Sequence, residues 1–132
     1  MKHPKAALVA ALVVAALASS GCTLVWIGGG AAVGAGTVAY LRGDLKVTEE
    51  ASLDKVWAAT GKAMQDLEFK TINQKKDAVS AKLLARTAAD KKIEINLKKV
   101  TEKLTELRIR VDTFGDESLS RLILNKIEKN LQ

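Results

Sequence analysis

Residues 69–112 read FKTINQKKDAVSAKLLARTAADKKIEINLKKVTEKLTELRIRVD, and this stretch decides the fold. Its hydrophobic period is two. Ile93, Ile95 and Leu97 alternate with Glu94, Asn96 and Lys98, while Leu107, Ile109 and Val111 alternate with Glu106, Arg108, Arg110 and Asp112. Upstream, Val79, Ala81, Leu83 and Ala85 alternate with Ser80, Lys82, Leu84 and Arg86. Before them Phe69, Thr71 and Asn73 alternate with Lys70, Ile72 and Gln74. Successive side chains of a strand point to opposite faces, so this pattern predicts a sheet with one dry and one wet side. Lys76-Asp77, Ala89-Asp90-Lys91 and residues 101–103 supply polar turns between the runs. Four strands on such short links form an antiparallel meander.

On both flanks the period changes to that of a helix. Leu53, Val56, Trp57, Thr60, Met64 and Leu67 fall on one side of a helix that Ser52 can cap, with Asp54 in its first turn and Gly61 as a site of close packing. After Phe114-Gly115-Asp116, Asp116 caps a second helix with Leu119, Leu122, Ile123, Ile127 and Leu131 on its apolar side. A short first strand is expected at residues 45–49, where Leu45, Val47 and Glu49 alternate with Lys46 and Thr48. The element order is β-α-β-β-β-β-α. Two helices must cover the apolar side of the sheet, which gives a two-layer α+β domain over residues 44–132.

The first third of the chain is a different material. No Asp or Glu precedes Asp44, and seven of the nine glycines lie before it. Lys2 and Lys5 precede thirteen uncharged residues, 6–18, a length suited to the apolar core of a signal peptide and short of a bilayer span. Ser19, Ser20 and Gly21 then lead directly to Cys22. Small residues followed by cysteine resemble the lipobox of bacterial lipoproteins. That resemblance implies a signal peptide over residues 1–21, cleavage between Gly21 and Cys22, and diacylglycerol with an N-acyl chain on Cys22. Two or more acyl chains anchor a protein stably, at ~0.8 kcal/mol per buried methylene. Thr23 stands where the enteric inner-membrane retention signal has Asp, so the resemblance implies the outer membrane, facing the periplasm.

Residues 22–43 form the membrane-proximal segment. Residues 23–41 carry no charge, with Trp26 and Tyr40 near the two ends as interfacial anchors. Gly30 and Gly34 make a GxxxG spacing that stacks small residues along one side of a helix. Three readings stay open: a lipid-embedded helix, an apolar tether weakened as a helix by three consecutive glycines, and a specific oligomerising helix.

Composition excludes several chemistries. With His3, the one histidine, inside the expected signal peptide and with one Cys, the mature chain offers no His-dependent catalysis, no disulfide framework, and no cysteine-rich zinc site. The carboxylate pairs Glu49-Glu50 and Asp116-Glu117 stand at strand–helix turns, where acids favour the helix start. No enzyme, metal or cofactor is expected. The wet side of the sheet carries Lys70, Lys82, Arg86, Lys98, Arg108 and Arg110 against Glu94, Glu106 and Asp112. These six cations are candidates for contact with an anionic surface. Nucleic acid is not expected, since single-strand binders need exposed stacking aromatics and the domain has few.

Residues 51–57 (ASLDKVW), Leu67, Phe69 and the meander, closing in Thr113-Phe114-Gly115-Asp116-Glu117 and Leu119-Ser120-Arg121, resemble a family of small, functionally uncharacterised bacterial lipoproteins. The strand, Asp-x-Val-Trp helix and meander are also similar, more distantly, to the helix-grip repeats of BamC, a lipoprotein of the outer-membrane barrel-assembly machine. The expected anchor, the lack of catalytic constellations and the BamC-like order point to a non-catalytic accessory protein that docks onto an envelope protein partner. A periplasmic binder of lipid or a small hydrophobic ligand, gripped beside Trp57, is the alternative. A membrane oligomer driven by the glycine segment is the third reading.

Overall fold

The computed structural model describes residues 37–132. The expected signal peptide over residues 1–21, with Cys22, Gly30 and Gly34, lies outside them. Strand β1 (Val38–Leu41) and strand β2 (Asp44–Glu49) precede helix α1 (Leu53–Asp66). Strands β3 (Lys70–Lys76), β4 (Ser80–Arg86), β5 (Lys92–Thr101) and β6 (Leu104–Val111) follow, and helix α2 (Glu117–Leu131) ends the domain. The fold is α+β, with the expected meander and both expected helices. All six strands join one antiparallel sheet in the order β1-β2-β6-β5-β4-β3.

The first strand of the expected order thus pairs with the last strand of the meander, Leu45 opposite Ile109. With three strands between them, β2 and β3 run parallel, and parallel strands require a crossover. Helix α1 is that crossover. Its N-cap is Ser52, whose Oγ accepts from the Lys55 N–H at 3.4 Å, and α2 is capped by Asp116, accepting from the Leu119 N–H at 3.0 Å. Alternation then fixes the core. Leu45, Leu83, Ile95 and Ile109 share one row of the dry side and are essentially inaccessible, as are Val56 and Met64 of α1 and Ile123 and Ile127 of α2. Thr105 belongs to the same side and satisfies its hydroxyl on the Ala51 carbonyl, 2.9 Å away, tying the start of α1 to β6.

Several details differ from expectation. The sheet starts at Val38, not at residue 45, because β1 and β2 form a hairpin. Arg42 (φ 54°) and Gly43 (φ 87°) are its two turn residues, the left-handed pair that a two-residue hairpin requires. Tyr40 accordingly packs against the core at a dry-side position opposite Leu45, rather than closing an apolar helix. In β3 a bulge between Thr71 and Asn73 breaks the strict alternation, and Ile72 is left half exposed. Val79 falls in the turn before β4, and Leu122 is exposed while Leu124 is buried in its stead. No helix among the described residues is long and apolar enough to cross a membrane.

Gly61 marks no close packing. A methyl group there would meet nothing within 4 Å, and the position is inside α1. Glycine in a helix interior costs about 0.5–1 kcal/mol relative to alanine through backbone entropy. Gly61→Ala is therefore expected to raise the melting temperature by about 3–6 °C, read by circular dichroism, at the usual conversion for a domain this size.

Candidate functional site

The strand register settles where the six cations go. Lys70, Lys82, Arg86, Lys98, Arg108 and Arg110 all occupy the side of the sheet opposite the helices. Lys46, Lys75 and Lys92 share that side, against Asp44, Glu94 and Glu106. Among the described residues no element packs over it.

Pairing across this face is uneven. On the β2–β6 half, Arg110 is clamped: it donates to Asp44 Oδ1 at 2.9 Å and to the Thr113 carbonyl at 2.9 Å. Lys46 meets Glu106 at 3.1 Å, and Arg108 stands 3.7 Å from the same carboxylate. Lys82 meets Glu94 at 2.8 Å, and this bond, with that from the Asn96 amide, holds the Glu94 carboxyl below the usual range. Toward β3 the cations face one another. Lys70 is directly opposite Arg86, and Arg86 directly opposite Lys92; two rows down, past Asn73, Leu84 and Glu94, Lys75 is opposite Lys82. Arg86 has Asp90 at 2.9 Å and Lys92 reaches Glu94 only at 3.8 Å. Lys70, Lys75 and Lys98 have no carboxylate within 4 Å among the described residues. A cleft of about 450 Å³ opens among Lys75, Lys82, Asn96 and Lys98.

The other candidate positions resolve differently. Trp57 is half-buried and packs against the core together with Leu67 and Phe69. Phe114 does not join that core; it stands 92% exposed in the loop before α2. Asp116 is a cap, and Lys91 at 2.8 Å, ahead of the helix N–H groups, holds its carboxyl below the ordinary range. Among the described residues no three His, Cys, Asp or Glu side chains gather closely enough to hold a metal.

One group was underread in the sequence. Glu49 occupies the dry-side parity of Leu45 and Val47, and its Oε1 is buried without a hydrogen-bond partner. Burial first, and the Glu128 carboxylate second, push its carboxyl above the usual range. Its place in the alternation was the available signal. An acid raised in the folded state favours the native form while protonated, and that advantage is lost as pH rises from the ordinary carboxylate range through the raised value. Glu49→Gln is expected to stabilise the protein at neutral pH by roughly 0.5–1 kcal/mol after solvent screening. The gain should vanish below about pH 4, where the wild-type carboxyl is protonated in both states; paired urea titrations at the two pH values check it.

A family model described as a protein of unknown function (DUF3568) matches residues 5–130. The chain belongs to this family. The match begins at Lys5 and runs to the last turn of α2, so the apolar run, the glycine-rich segment and the α+β domain are parts of one family pattern. No curated protein matches the chain.

Proposed function

We propose that this family member is a lipid-anchored protein of the bacterial envelope, held at the outer membrane by Cys22 and facing the periplasm, where its α+β domain acts as a non-catalytic docking module. One observation carries the reading: thirteen uncharged residues behind Lys5 are followed by Ser19-Ser20-Gly21-Cys22, which resembles a lipoprotein signal in its small residues before the cysteine and departs from it in having Ser19 at the usual branched aliphatic place. The element order supports it, since it resembles that of the helix-grip repeats of BamC. The hydrophobic-ligand reading would need space between helices and sheet. Leu45, Met64, Leu83, Ile95, Ile109 and Ile123 fill that interface and are fully buried.

Intact-mass measurement of the protein extracted from native membranes, with Cys22→Ser alongside, tests the proposal. The expected species begins at Cys22 and carries the mass of diacylglycerol and one acyl chain; Cys22→Ser should lose both the lipid and the cleavage. An uncleaved, unmodified wild-type chain would overturn the lipid anchor and the compartment with it.

A further inference from the structure

We propose that the open side of the sheet lies against an anionic phospholipid surface, with the row Lys70–Arg86–Lys92 as its principal contact. The proposal rests on the lipid-anchored reading above, and it adds an orientation and a ligand. Three observations support it. The first is the row itself. Like charges directly opposite one another on adjacent strands destabilise a sheet, yet here three cations face each other on three neighbouring strands, and a second like-charged pair, Lys75 and Lys82, repeats the arrangement. An anionic layer removes that repulsion.

The second is what the face lacks. Protein-binding surfaces concentrate aromatic and apolar anchors at their centre. Of the four described aromatics, Tyr40 sits on the dry side, Trp57 on α1, and Phe69 and Phe114 in loops, so no aromatic lies on an open-side strand position. The apolar residues on that side include Leu41 at the sheet edge and a partly buried Leu84, and diffuse positive charge without an aromatic anchor matches a diffuse negative surface. Geometry is the third. Fifteen residues separate Cys22 from Val38, a contour of at most about 55 Å, and β1 is an edge strand. An anchored chain therefore enters the sheet from its side, and the sheet can lie flat on the bilayer that holds the anchor. Cations within a Debye length of such a surface, about 8 Å at physiological salt, each gain about fivefold in partition.

The test uses the full lipidated chain in vesicles. A fluorophore is placed by Asn96→Cys at the centre of the open side or by Gln65→Cys on the exposed side of α1, the native Cys22 thiol being consumed by the lipid. Vesicles of phosphatidylcholine alone, or mixed with phosphatidylglycerol, carry a headgroup nitroxide quencher. Quenching at Asn96 and not at Gln65 is expected, only with phosphatidylglycerol, and release by 0.5 M NaCl. The triple variant Lys70→Gln, Arg86→Gln, Lys92→Gln should lower the docked-to-free ratio about a hundredfold, three cations at fivefold each. Its circular dichroism verifies the fold, and the salt arm needs no variant. Equal quenching at the two positions, quenching in pure phosphatidylcholine, or an unaffected triple variant would overturn the proposal. Protection of Asn96 in native envelope fractions but not in phosphatidylglycerol vesicles would also overturn it, in favour of an acidic protein. Failure to float with phosphatidylcholine vesicles at all indicts the anchor instead.

Discussion

Replacing Ile109 with alanine is expected to remove about 3–4 kcal/mol of stability, the upper part of the range for truncating a buried branched side chain. Ile109 is fully buried at the middle of the sheet, flanked in register by Leu45 on β2 and Ile95 on β5. Strands on both sides fix its backbone, so the surroundings cannot collapse into the space, and the cavity term is added in full to the lost transfer energy. Marginal domains have about 5–15 kcal/mol in total. Urea unfolding followed by circular dichroism should show the midpoint falling by about 2 M at the slope usual for small domains. A loss under 1 kcal/mol would mean that the dry row is packed more loosely than its burial indicates.

The second large effect belongs to a glycine. Gly115 has φ 85°, and a methyl group there would collide with the Gly43 Cα and the Tyr40 hydroxyl and lie 2.8 Å from the Gly43 carbonyl oxygen. Backbone strain and overpacking act together at this position, and Gly115→Ala is expected to cost about 2–4 kcal/mol. Its signature differs from that of Ile109→Ala. Because the collision is with the β1–β2 turn, amide exchange of Val38–Leu41 should accelerate more than that of β4 and β5. Uniform acceleration across the sheet would place the strain elsewhere.

The strands that were legible in the sequence are those with one side wet. Ile93-Glu94-Ile95-Asn96-Leu97 leaves no choice of period, and the parity it sets carried all six candidate cations to one face. Strand β1 was hidden because its neighbours share its composition: Val38, Ala39, Tyr40 and Leu41 are apolar at both parities, and Leu41 is spent on the open side at 70% exposure. The Arg42-Gly43 turn is the cue, but it stands directly at the end of the uncharged run 23–41. Strand β3 was legible as a strand, but its parity beyond Thr71 was not. Every residue of it is exposed, so burial enforces no pattern, and a bulge shifts its register at no cost in core. What alternation cannot supply is which charges meet. The Lys70–Arg86–Lys92 row and the approach of Glu128 to Glu49 depend on strand order and helix placement, which are long-range facts.

The pairing of β2 with β6 also governs when the protein can become whole. Synthesis delivers β1 and β2 first and β6 almost last, with Asp44 waiting for Arg110. A two-stranded hairpin is marginal in water by itself, whereas β3 to β6 can zip together through short turns as they emerge. The N-terminal hairpin must therefore remain unfinished until the final strand is available, and the row from Leu45 through Ile109 and Ile95 to Leu83 closes in one late step. A nascent chain that stops before β6 has one helix and five strand segments but no continuous interior. The price of joining the two ends of the domain in one sheet is that no shorter piece of it can stand as a smaller version of the whole.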